Sequence, residues 1–144
     1  MNKFKIIAIV MVVIIVAGIA YSFTKSAEDR PVTTGKVREV TVTAIKDEWR
    51  FEPEELEAEL GDKIVMTVVN EDNYDHGIGI DAFGVSQRMP ANETIKLEFI
   101  VTRPGDFPFY CSVPCGDGDV AGEHRDHYSM VGKLHVKSLI TETN

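Results

Sequence analysis

Hydrophobic positions follow two different periods along this chain, and the change falls near residue 25. From Ile6 to Ala20 the residues are apolar without interruption, and Tyr21 and Phe23 carry the run towards Lys25. At about 1.5 Å rise per residue, some 18 residues span roughly 27 Å, the thickness of a bilayer's hydrocarbon core. Lys3 and Lys5 precede the run. Basic residues on that side keep the N-terminus in the cytoplasm and send everything later across the membrane. A single transmembrane anchor is therefore expected over 1–24, embedded through residues 6–23. The small residues Ala17, Gly18 and Ala20 near its end also suit a cleaved signal peptide, and either alternative exports the rest of the chain. Residues 25–36, with Pro31, Thr33, Thr34 and Gly35, are expected to form a polar linker.

Beyond the linker the period becomes two. Val37, Val40, Val42 and Ile45 sit among charged and hydroxyl residues, and Trp49 and Phe51 come next, two apart. Leu56, Ala58 and Leu60 alternate with Glu55, Glu57 and Glu59. Ile64, Met66 and Val68 begin another strand after the Gly61-Asp62 turn, and Gly77–Ile80 is a short one. Ile95, Leu97, Phe99 and Val101 alternate clearly, and Phe107, Phe109 and Cys111 share one face. Gly132–Lys137 closes the series. Alternation over short segments separated by Gly, Pro and Asn turns predicts an all-β domain over 37–144, an antiparallel β-sandwich of about seven or eight strands without an amphipathic helix.

Composition narrows the function. Beyond Lys25 there are 12 basic and 23 acidic residues, a balance of −11, so nucleic acid, which needs a basic face, is not an expected partner. The glutamates of 52–59 are first the wet face of a strand. No phosphate-cradling glycine loop and no Ser-His-Asp or Cys-His nucleophile set is present, so no catalytic residues are assigned.

The candidate chemistry lies between Tyr110 and Gly132. Both cysteines of the chain, Cys111 and Cys115, are there, with His124, His127 and Met130. Thiolate, imidazole and thioether are soft ligands that favour copper. His76, at a loop-to-strand junction, can join them because loops cluster at the ends of a sandwich. Two cysteines and two histidines would also satisfy a closed zinc site, which would leave Met130 without a role, and an exported Cys pair can form a disulfide. His135 lies between Leu134 and Val136 in the last strand and is expected to face solvent. Trp49 is expected to be core or near-site packing.

These residues resemble the binuclear copper (CuA) domain of cytochrome c oxidase subunit II, a cupredoxin-like Greek-key sandwich. The matching pieces are Asp75-His76, Asp81–Val85, Arg103–Asp106, Cys111-Ser-Val-Pro-Cys115-Gly116 and His127-Tyr-Ser-Met130-Val-Gly132. The resemblance covers about residues 37–137. It implies two copper ions bridged by Cys111 and Cys115, each capped by one histidine, His76 or His127. Met130 and the Val113 carbonyl would be weak ligands. It also implies an electron-entry subunit rather than a catalyst alone. An exported donor, such as a c-type cytochrome or small copper protein, would feed it, and an oxidase subunit I would receive the electrons. The copper domain would stand outside the cytoplasm on a single-pass membrane protein.

One departure stands out. The family usually has three residues between the second cysteine and the next histidine, whereas eleven separate Cys115 from His127 here. The insert carries its own His124, so either histidine is a candidate, with His127 preferred because its spacing to Met130 and Gly132 is kept. A free-standing mononuclear cupredoxin resembling nitrosocyanin, and a copper-delivery protein, are the alternative expectations.

Overall fold

The computed structural model describes residues 2–28 and 35–138. Residues 29–34 of the expected linker lie outside the described residues. The chain divides into two compact units, an N-terminal helix and a β-domain.

The helix α1 (Lys3–Glu28) extends past the expected end of the anchor. Its Lys3–Tyr21 part has a mean hydropathy of 2.7 and is long and apolar enough to cross a membrane. Ile6, Val10, Ile14 and Ile19 are all exposed, so these side chains have no protein cover within the helix unit. A helix apolar all round suits a lipid surrounding.

The β-domain contains β1 (Val37–Ala44), β2 (Phe51–Glu52), β3 (Glu55–Glu59), β4 (Lys63–Asn70), β5 (His76–Ile80) and β6 (Val85–Met89). Its later strands are β7 (Thr94–Ile100), β8 (Gly105–Tyr110), β9 (Asp117–Val120), β10 (Glu123–Asp126) and β11 (Val131–Lys137). One sheet has the order β2-β1-β4-β7, the other β3-β11-β8-β5-β6, and β9 and β10 form a separate hairpin. The fold is the expected β-sandwich, and the period-two positions supply its core. Val42, Ile64, Met66 and Val68 come from the first sheet; Leu56, Ile78, Phe109 and Leu134 come from the second. The glutamates of β3 do face outward, where Glu57 meets Lys137 and Glu59 meets Lys36.

The sheets are not wholly antiparallel. β1 runs parallel to β4, and β3 parallel to β11. Alternation reports which face of a strand is buried but not its direction, so the sequence does not reveal these pairings. Strands β6, β9 and β10 also lie outside the expected series. They are short or too polar to alternate.

β5 carries the site's first residue and is buried at every position. Its sequence, His-Gly-Ile-Gly-Ile, explains how. His76, Ile78 and Ile80 are fully buried. Gly77 leaves room for the loop after β8: a Cβ there would lie 2.3 Å from Ser112 Oγ and 2.9 Å from Val113 Cγ2. Any larger residue would push the Cys111 loop off the strand.

Candidate metal centre

The loop before β5 is set by side chains at the end of β4. Asn70 is buried, and its amide donates to the carbonyls of Tyr74, Met89 and Pro90 at 2.9, 3.1 and 3.0 Å. Its Oδ1 accepts from the Asp72 amide at 3.0 Å. Asp72 in turn is buried, with Oδ2 2.7 Å from His76 Nε2. A carboxylate on one ring nitrogen fixes the imidazole's tautomer and direction, as it does for metal-bound histidines. The other nitrogen, Nδ1, lies 3.7 Å from Cys111 Sγ.

From there the donors form a chain. Cys111 Sγ is 3.1 Å from the Val113 carbonyl and 3.8 Å from Cys115 Sγ. Cys115 Sγ is 3.7 Å from His127 Nδ1 and 3.6 Å from Met130 Sδ. Metal–sulfur and metal–nitrogen bonds of about 2.3 and 2.0 Å put tetrahedral sulfur and nitrogen ligand atoms roughly 3.5–3.8 Å apart. The observed sulfur and nitrogen separations match that spacing. Both cysteines are free, and their 3.8 Å separation is well beyond a disulfide bond of about 2.0 Å. His76, Cys111 and Cys115 form one close group whose ligand atoms all lie within 4.8 Å of one another. His127 is outside that group and joins it through Cys115.

Electrostatics favour the thiolate at Cys111 and the protonated forms at Cys115 and His76. The hydrogen bond with Cys115 holds the Cys111 thiol far below its usual range against the opposing effect of burial, helped by His76 and by the Gly77 and Val113 backbone. The same bond, with burial, pushes Cys115 up. A metal that takes Cys115 as thiolate must displace its proton. Burial disfavours the His76 imidazolium, but bonds to Cys111 and Asp72 outweigh it and leave its pKa raised.

The insert is a hairpin. β9 and β10 pair antiparallel from Glu123↔Val120 to Asp126↔Asp117. Ala121 and Gly122 connect them, both with positive φ, at 51° and 88°, as the tight turn between twisted strands requires. The His127 amide donates to the Gly116 carbonyl at 3.0 Å, so the chain leaves and re-enters at one place. The insert therefore bulges away and returns His127 beside Cys115. Asp126 and Ser129 then cap the short 3-10 helix His127–Ser129, with Ser129 N–H donating to Asp126 Oδ1 at 2.9 Å. That turn sets His127 and the fully buried Met130.

His124 is elsewhere. It is 63% exposed on the hairpin, beside Asp119 and Asp117. His135 is on the outer side of β11, 2.7 Å from Asp106. Sequence reasoning misses Asn70 and Asp72, although Asn-x-Asp at the end of a strand is a local turn signal. Trp49 does lie near the site, with its indole Nε1 3.2 Å from the Cys115 carbonyl.

Comparisons with known proteins agree with the fold. A protein-family model described as a cupredoxin-like domain matches residues 9–120. Nitrous-oxide reductase from Stutzerimonas stutzeri is 29% identical over 90 residues, 60% of this chain but only 13% of the reductase. The chain thus corresponds to a small part of that relative. The periplasmic domain of cytochrome oxidase subunit II from Bradyrhizobium japonicum superposes with a TM-score of 0.55 at 17% identity, over 69% of this chain and 83% of that one. The blue copper protein auracyanin A from Chloroflexus aurantiacus gives 0.55 at 18% identity, over 70% and 99%.

Proposed function

The chain belongs to the cupredoxin-like domain family, and from that premise we propose that it is a membrane-anchored electron-transfer protein with a binuclear copper centre. One observation carries this reading. The donors fall into two half-sites hinged on the sulfur pair: Cys111 with His76 and the Val113 carbonyl, Cys115 with His127 and Met130. A single tetrahedral ion would draw all four ligands together, whereas His127 lies outside the group in which the His76, Cys111 and Cys115 ligand atoms fall within 4.8 Å of one another.

His76, Cys111, Val113, Cys115, His127 and Met130 would hold the copper, which supplies reversible one-electron storage when bound. The protein's contribution is rigidity. Asp72 orients His76, Gly77 admits the cysteine loop, and the Asp126–Ser129 cap fixes the turn of His127. Ligands held in advance by locked neighbours need little movement when charge changes.

Electron entry has a suitable surface. An open groove of 640 Å³ is lined by Tyr110, Cys111, Ser112, His127, Tyr128 and Val131, among others. Tyr128 is 82% exposed and Val131 48%, an apolar rim over two of the proposed ligands. We assign it to an exported donor, a c-type cytochrome or small copper protein, with the domain on the extracytoplasmic side of a single span. The acceptor would be subunit I of a haem–copper oxidase, and the chain is the electron-entry part of such a complex rather than a catalyst alone. The similarity of the subunit II domain supports this setting.

Metal analysis of the copper-loaded chain tests the assignment. His127→Ala is expected to lose the two-copper spectrum, whereas His124→Ala leaves copper content and spectrum unchanged. Loss of the spectrum in His124→Ala alone would reverse the ligand assignment.

A further inference from the structure

We infer that Trp49 is a positioning residue for the metal centre, its indole holding the Cys115 carbonyl and the base of the 117–126 hairpin so that Cys115 and His127 stay together. The problem it answers comes from the insert. Eleven residues separate these two, yet Cys115 Sγ and His127 Nδ1 lie 3.7 Å apart. The Gly116–His127 backbone bond closes the hairpin but does not fix the closed hairpin against the domain.

Trp49 does. Its Nε1–H donates to the Cys115 carbonyl at 3.2 Å. Its six-membered ring lies so close to Gly118 that a Cβ there would come 2.5 Å from both Cη2 and Cζ3. Gly118 is not in a positive-φ conformation, so glycine is needed there for space and not for backbone freedom. Trp49 therefore touches the hairpin's first strand just beyond the cysteine.

The turn that presents Trp49 is itself tied to the other half-site. Trp49 and Asp47 both have positive φ, at 46° and 56°, a region that side chains with a Cβ avoid unless their surroundings impose it. The Asp47 amide donates to Asp72 Oδ1 at 2.7 Å, while Asp72 Oδ2 meets His76 Nε2 at 2.7 Å. Tyr74 sits between them, its ring centroid 6.3 Å from Trp49 and 5.1 Å from His76. The turn thus holds His76 through Asp72 and Cys115 through Trp49.

The spectroscopic consequence rests on the copper reading; the mechanical one does not. Three variants of the full chain in detergent separate them. Trp49→Phe keeps a ring and removes the N–H, Trp49→Ala removes both, and Gly118→Ala forces the ring off the hairpin. In the copper-free chain, amide hydrogen exchange at 116–127 is expected to rise about tenfold in Trp49→Phe, as loss of one net hydrogen bond implies, and further in Trp49→Ala. If Trp49→Ala does not fold, Trp49→Phe and Gly118→Ala carry the test. In the copper-loaded chain, Trp49→Phe at wild-type copper content is expected to shift the thiolate-to-copper absorption bands. Unchanged exchange in Trp49→Phe and Gly118→Ala, or an unchanged spectrum at full loading, overturns the inference. If the wild-type chain takes up no copper, the copper reading falls and exchange alone decides whether Trp49 holds the two residues.

Discussion

Replacing Cys115 by serine is expected to reduce bound copper from two ions per chain to one at most and to abolish the thiolate-to-copper absorption. Cys115 is the shared element of the site, with Cys111, His127 and Met130 all within 3.8 Å of its sulfur. A serine hydroxyl occupies nearly the same space but is a hard, protonated donor at neutral pH, whereas copper selects the soft thiolate. His127 and Met130 would then keep a position with no thiolate between them. The copper-free fold should persist, because Cys115 is only half-buried and the exchange is nearly isosteric. Metal analysis after dialysis, read beside the melting temperature of the copper-free variant, checks both halves. Two coppers retained by Cys115→Ser would contradict the sulfur-bridged arrangement.

The second large effect is on stability. Phe109 is fully buried, two residues before Cys111, with its ring 5.7 Å from that of Phe51. It also fills the space over Gly132, where a Cβ would lie 2.1 Å from its Cζ. Phe109→Ala empties this volume between two strands that pair through Gly132↔Phe109, so the cavity cannot collapse easily. The expected cost is about 3–5 kcal/mol, a large part of the roughly 5–15 kcal/mol that stabilises a domain. Denaturant titration of the copper-free chain measures it directly. Tyr128→Ala, at an 82% exposed position, is expected to stay within about 0.5 kcal/mol of wild type. Equal losses for the two would contradict the packing described.

Much of this is legible in the sequence because burial writes itself into alternation. Val42, Met66, Phe109 and Leu134 all fall where period two puts them. Direction does not write itself in this way, and the β1–β4 and β3–β11 parallel pairs come only with the structure. The local spacings Cys-x3-Cys and His-x2-Met single out which residues to bring together, since each lies within one turn of chain. The insert is opaque for two reasons. Asp-Gly-Asp-Val has no apolar alternation, and Ala-Gly is a weaker hairpin signal than Asn-Gly. Its fold rests on backbone pairing and on a tryptophan 69 positions before Gly118 in the chain. Asp72 and Trp49 likewise act through partners that sequence distance hides. A buried carboxylate behind a histidine becomes visible only when both are placed.

In the proposed centre, one unpaired electron is shared by two copper ions held on Cys111 and Cys115. Electron paramagnetic resonance of the copper-loaded full chain tests it most directly. Two coppers per chain and a hyperfine pattern from one unpaired electron spread equally over two copper nuclei are expected. One copper per chain, or a hyperfine pattern from a single nucleus, would contradict it.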